Sequence, residues 1–363
     1  MSGITGAVGP SDCGMMSSLV ANATSVKQKL DQLTNQVSTG LVGNTYAGLG
    51  SGASVSLNLR PQIASMQTWQ NNVDASTGRM SVAQTALTQI QSIAANFYAQ
   101  LNNMEGVDSS EIDSVAANAR DALGQVTEAL DAQYGSTYVF AGQDTSNPPV
   151  PDSDNILTSG YYTQISAAVA GLATNGAAAT ANATYAVATS NAVGDSPFST
   201  FLSQPYATVQ TSLPVVQVGQ NQTETVGLPA SANGMIPNCP LGTPTIDGGP
   251  PVSTGSYMRD VLRAMATIGS LSSSQVSTPG FTDLVQDTRI SLSGAITAMA
   301  QDAGVMGNVQ SSLTATQTQL SDTQTALTGQ VSSAEDVDMA ATMSQLSLVQ
   351  TQMQAPRISL SLR

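Results

Sequence analysis

Apolar residues recur alternately every three and four positions from Met66 to Met104: Met66, Trp69, Val73, Ser76, Met80, Ala83, Leu87, Ile90, Ala94, Phe97, Leu101 and Met104. The positions between them are mostly Gln, Asn, Thr, Ser and Ala. This spacing places one narrow stripe along a single side of an α-helix, the pattern of a helix that buries a seam against partner helices. At a rise of ~1.5 Å per residue such a helix is about 58 Å long. The rest of the chain should therefore supply rods of matching length.

A second seam precedes it. Met16, Leu19, Ala23, Val26, Leu30, Leu33 and Val37 keep the same alternation up to Gly40, a helix C-cap. Met1–Ser11 has no period and is expected to be flexible. Gly40, Gly43, Gly48, Gly50 and Gly52 then read as a flexible joint, since no Lys follows and the spacing fits no phosphate-cradling loop. Pro61 is placed in the first turn of the long helix. A turn over Glu105–Asp108 leads to a third helix with Ile112, Val115, Ala119, Ala122, Leu123, Val126 and Leu130 on its apolar face. Tyr134–Gly142 is strand-like, and Asp144–Pro151 is a turn cluster.

From Thr145 to Ser256 the pattern changes. Ala, Thr, Ser, Gly and Pro dominate, Val215-Val216-Gln217-Val218 alternates like a strand, and helical seams are absent. No Lys or Arg occurs between Arg120 and Arg259. The stretch reads as a peripheral, mostly β or irregular region with no large core, which the rest of the chain could assemble without. Helical spacing resumes at Tyr257 with Val261, Leu262, Met265 and Ile268, then Phe281, Leu284, Leu292, Ile296 and Met299. It continues as Met306, Val309, Leu313, Thr316, Leu320, Thr323 and Leu327. The phase is lost near Gly329 and returns as Met339, Met343, Leu346 and Met353. Ser332-Ser333-Ala334-Glu335 has the form of a capping box opening this last helix.

The resulting fold class is mainly α: a long coiled-coil-like helical bundle formed by both chain ends, with an inserted β or irregular outer domain. The layout is a terminal-core helix over 1–45, a helical rod over 46–145, the outer domain over 146–256, the rod again over 257–330, and a second terminal-core helix over 331–363. The seam residues expected to carry assembly are Leu19, Val26, Leu30, Leu33 and Val37 at one end, and Met339, Met343, Leu346 and Met353 at the other. Met80, Leu87, Ile90, Leu313, Leu320 and Leu327 carry it in the rods. Both ends are expected to stay disordered in the lone subunit and to fold on assembly, because helices this short need a partner face.

Composition narrows the function. Ten basic residues against 24 acidic ones give a net charge of −14, which excludes the basic footprint of nucleic-acid binding and suits an anionic membrane equally badly. Only 9% of residues are charged, so the polar surface is neutral and can press against copies of itself without burying charge. No run approaches the ~18 apolar residues of a membrane helix, and Met1–Val20 lacks the charged and apolar regions of a cleaved signal. The chain has no histidine, which removes the commonest general base and metal ligand. Cys13 and Cys239 lie in no CxxC and read as isolated small residues. Glu335, Asp336 and Asp338 are the one tight acidic cluster outside loops, read as helix-start acids rather than an acid–base pair or metal site. Asn182-Ala183-Thr184 and Asn221-Gln222-Thr223 match glycosylation acceptors, a short pattern that arises easily in a Thr-rich chain. No catalytic, cofactor or metal site is expected.

Several stretches resemble one family. Gln36-Val37-Ser38-Thr39-Gly40 is similar to the "ISTG" stretch of bacterial flagellins and hook-associated proteins. Leu57-Asn58-Leu59-Arg60 and Gln70–Ala75 resemble the family's "LR" and "QxNIxxA" landmarks. Glu335–Ala340 resembles "EDADYA", and Ile358–Arg363 resembles the "VLSLLR" terminus. Together they frame roughly the first 145 and the last 105 residues. The resemblance implies a coiled-coil core built from both chain ends, a variable outer domain, and export by the flagellar type III apparatus without a cleaved signal. It also implies an extracellular structural role in motility. Implied partners are copies of the chain, filament flagellin, other hook-associated proteins and an export chaperone.

Two departures stand out. Tyr46-Ala47-Gly48-Leu49-Gly50 replaces the family's "SDDPA", so the joint should bend differently. Gln89, Gln91 and Ser92 replace two arginines and a glutamate in the segment that an innate immune receptor reads in some members, so that recognition is not expected here. Tyr138–Gly142 with Pro148-Pro149, "YVFAGQDTSNPP", resembles the junction protein between hook and filament, whereas the "LSLR" ending fits a filament flagellin equally well. Outside the family, the rival reading is an acidic secreted surface-array or adhesin-like protein.

Overall fold

The computed structural model describes residues 10–102, 109–233 and 244–360. Met104, the Glu105–Asp108 turn, Cys239, residues 1–9 and the last three residues lie outside the described residues, as does the side chain of Leu19. The helices are α1 (Pro10–Thr39), α2 (Gly52–Asn102), α3 (Ser109–Leu130), α4 (Gly160–Ala170), α5 (Leu172–Thr189), α6 (Tyr206–Thr211), α7 (Tyr257–Gly269), α8 (Phe281–Glu335) and α9 (Met339–Leu360). Two small antiparallel ribbons complete the set: β1 (Gln133–Tyr134) with β2 (Thr137–Tyr138), and β3 (Val215–Gln217) with β4 (Thr223–Thr225). The chain divides into one compact unit over Trp69–Gln319 and another made from both ends, Met1–Thr68 and Leu320–Arg363.

In the Trp69–Gln319 unit the long seam is buried as its spacing requires. Val73, Leu87, Ile90 and Ala94 are fully covered, as are Leu292, Met299 and Leu313 of α8. Trp69 is only half-buried. The apolar face of α3, Ile112, Ala119, Leu123, Val126 and Leu130, is buried as well, and α3 packs along α7. Polar side chains tie the rods along their edges. Asn118 Nδ2 donates to Gln100 Oε1 at 3.1 Å, Arg289 Nη1 to Asn102 Oδ1 at 3.2 Å, and Gln317 Nε2 to Asp74.

Pro61 does not sit in the first turn of α2. The helix begins at Gly52 and carries Pro61 in its interior, on an exposed face where the missing N–H and the displaced carbonyl can be met by water. Nor does helicity end near Gly329: α8 runs on to Glu335. The capping box is corrected with it. Glu335 is the last residue of α8, and the cap of α9 is Asp338, whose Oδ1 accepts from Ala341 N at 3.0 Å.

The middle departs furthest from expectation. Among the described residues it holds the three-residue strands β3 and β4 and three helices, α4, α5 and α6. It also has a core. Tyr161, Ile165, Val169, Leu172, Leu202 and Val209 are all but sealed from solvent, and α4 and α5 pack with α3 on α7. All 13 residues of α7 are buried. A helix hydrophobic on one stripe but buried all round has to meet its polar groups internally, and the middle region meets those of Arg259 and Asp260 with backbone and side-chain groups. Arg259 donates to Ser231 O at 3.1 Å, Ala188 O at 2.8 Å and Asn191 Oδ1 at 2.8 Å. Asp260 accepts from Thr254 N at 2.8 Å and from Ser253 Oγ. The middle, which has no basic residue of its own, is fastened by the first arginine after the gap.

The strand-like Tyr134–Gly142 stretch forms the β1–β2 ribbon and a buried corner. Phe140 is fully covered, and its carbonyl accepts from Ala230 N at 2.9 Å. Arg79 Nη2 on α2 donates to Tyr138 O at 3.0 Å and Gly142 O at 3.4 Å. Phe140→Ala should cost about 3–5 kcal/mol through lost transfer energy and the cavity left behind. A chemical denaturation midpoint equal to wild type would contradict that.

Candidate assembly site

In the unit made from both ends, α1 packs along α9. Leu33 is buried in that contact, at 1% exposure, and Val26, Leu30 and Val37 are half-buried beside it. From α9 the contact takes Thr342, which is buried, and Leu346 and Val349, which are half-buried. Met339, Met343 and Met353 remain exposed, Met343 by 52%. Leu348 and Val20 are exposed as well. Leu327 is half-buried on α8, and Leu320 is close to covered. The other expected seam residues, Met80, Leu87, Ile90 and Leu313, lie in the core of the Trp69–Gln319 unit.

The two inter-helix joints meet beside this pair. Leu41 and Asp336 form an antiparallel bridge, Val42 N donates to Glu335 O at 2.7 Å, and Val337 N donates to Gly40 O at 2.9 Å. The glycine-rich joint is therefore tied down rather than free. Gly40 takes φ +73° to end α1, a left-handed conformation that costs glycine little. At Gly52 any Cβ would lie 2.8 Å from Ala334 O, so only glycine lets the start of α2 rest against the end of α8.

Glu335 is held at this crossing by both carboxylate oxygens. Oε1 accepts from Ser56 Oγ at 2.5 Å and Arg60 Nε at 2.9 Å, and Oε2 accepts from Arg60 Nη2 at 2.5 Å. This is the two-pronged arginine–carboxylate geometry that fixes direction as well as distance. The Arg60 guanidinium, with the Ser56 hydroxyl, holds the Glu335 carboxyl below the usual glutamate range. Arg60 itself is half exposed, so solvent screens the pair. Its effect lies in geometry more than in stability. In the sequence Arg60 and Glu335 were visible only as separate landmarks, because nothing in spacing links residues so far apart.

Among the described residues no group of three His, Cys, Asp or Glu is placed to hold a metal, and no helix is long and apolar enough to cross a membrane. Paired end helices, clasped joints and continuous rods describe a subunit built to pack with others. Residues 11–145 match the bacterial flagellin N-terminal helical region, and residues 291–362 match the bacterial flagellin C-terminal helical region. The chain belongs to the bacterial flagellin family. It is thus a structural subunit of the flagellum, of a family that self-assembles into an extracellular polymer rather than catalysing a reaction. No individual curated protein matches it.

Proposed function

We propose that this flagellin-family subunit sits at the junction between hook and filament. The segment Tyr138–Pro149, "YVFAGQDTSNPP", resembles the junction protein and supports the reading, and it is no loose loop. Phe140 is buried, Arg79 grips the flanking carbonyls, and Ser199 N donates to Pro149 O at 2.9 Å. A segment used as a structural corner is a better discriminator between subunit types than an exposed loop, whose sequence packing does not constrain. The subunit leaves the cell through the flagellar type III apparatus without losing a signal peptide, with an export chaperone covering its ends. It then contacts hook-associated proteins on one side and filament flagellin on the other. The filament itself is the second reading, favoured by the "LSLR" ending.

The two differ in where the protein is found. Immunogold labelling of intact flagella should mark a short zone at the distal end of the hook, and cells lacking the chain should carry bare hooks and shed flagellin into the medium. Label along the whole filament would assign the chain to the filament instead.

A further inference from the structure

We infer that Ser56, Arg60 and Glu335 form an acid-sensitive latch that sets the register of the terminal helix pair, making Glu335 a positioning residue for assembly. The inference holds whether the subunit builds the junction or the filament. Glu335 directs three oxygens into the crossing: both carboxylate oxygens to α2, and its backbone carbonyl to Val42. One side chain therefore anchors the same residue whose backbone pairs the joints. The joints in turn decide which part of α9 meets α1, since α1 ends at Thr39 and α9 begins at Met339, on either side of the bridge. A slip of one residue would rotate α9 by about 100° at ~3.6 residues per turn. That would turn Thr342 and Leu346 away from α1 and present a different face to a neighbouring subunit.

The latch depends on one charge. Arg60 faces Glu335 from α2, and Tyr46 faces the guanidinium from the first joint. Asp336 is engaged by Ser332 Oγ, and Asp338 by the Ala341 amide. None of these can replace Glu335 as the partner of Arg60. A carboxyl whose folded pKa is depressed contributes fully above its ordinary value, here 4.5, and loses that contribution as the pH falls through the depressed one. Acid should open the latch while the hydrophobic contacts of the rods, which carry no such charge, persist.

The test is hydrogen exchange of the Val42 and Val337 amides in the full-length protein from neutral pH into the acid range. The α7 amides serve as the control for folding. Wild type should show protection at both joint amides at neutral pH and lose it in acid before α7 opens. Glu335→Gln, which keeps the shape and removes the charge, should lower joint protection several-fold at neutral pH and abolish the acid step. Arg60→Lys should keep the step with weaker protection, because the charge remains and the fork does not. Cells carrying Glu335→Gln should attach fewer subunits although α7 protection is unchanged. Wild-type joint protection in Glu335→Gln, an acid step that survives in it, unprotected joint amides in wild type, or full assembly despite lost protection would each overturn the inference.

Discussion

Asp287→Ala is expected to cost about 3–5 kcal/mol of folding stability, the usual result of breaking a buried ion pair from one side. Arg263 Nη2 donates to Asp287 Oδ2 at 2.8 Å, and the side chains are only 4% and 1% exposed. The Thr245 hydroxyl donates to the other carboxylate oxygen, and the guanidinium lies over the Tyr185 ring at 5.6 Å. Without the carboxylate, Arg263 keeps a buried charge whose remaining polar partner is Thr184 Oγ1 at 3.4 Å. The cost comes from stranding that charge, not from the pair's own strength. Arg263→Met with Asp287→Leu should therefore recover much of the loss, because apolar residues of similar size need no partner. Urea denaturation of the single and double variants decides it. An unaltered midpoint for Asp287→Ala would show that water reaches the guanidinium.

The same contacts change what removal of the middle should do. A peripheral insertion could be cut out cleanly, but residues 146–256 cover α7 and supply the carbonyls that Arg259 binds. Removing them would expose a helix that is now buried on all sides.

The helices of the middle leave little trace in the spacing of large side chains. In α5 the buried positions after Leu172 are Ala177, Thr180, Ala181, Thr184 and Ala188. These keep helical spacing, but as a seam of small residues along which α7 can approach closely. The signal is there once Ala and Thr count as seam formers. The long rods were legible for the opposite reason: Leu, Ile, Val and Met at three-four spacing admit one helical face and little else. The clasp was illegible by nature. Ser56, Arg60 and Glu335 meet only once the chain has doubled back, and the acidic cluster looked like the start of a helix because the continuity of α8 past Gly329 leaves no mark in the periodicity. In the joint, glycine content suggested freedom, whereas at Gly52 it permits a close contact.

Deleting Met339–Arg363 is expected to abolish assembly while leaving the Trp69–Gln319 unit folded. In the lone subunit α1 spans 30 residues and α9 spans 22, yet among their described residues only Leu33 and Thr342 are buried. Val26, Leu30, Val37, Leu346 and Val349 are half covered, and Met339, Met343, Leu348 and Met353 of α9 are exposed to solvent. Full burial of each such side chain is worth about 1.5–3 kcal/mol, whereas fixing each backbone residue costs roughly 1–2 kcal/mol. So thin a contact holds both helices only weakly, and covering the exposed methionines by neighbouring subunits tips the balance. Exchange protection in the isolated chain should therefore fall along α1 from the joint towards Val20 and rise along its whole length on assembly. The truncated protein should be exported, soluble and unchanged in the melting of its rods, but absent from the flagellum by electron microscopy. Normal assembly after truncation would remove the terminal pair from the assembly site. Strong protection throughout Val20–Val37 in the lone subunit would show that the pair needs no neighbour to fold.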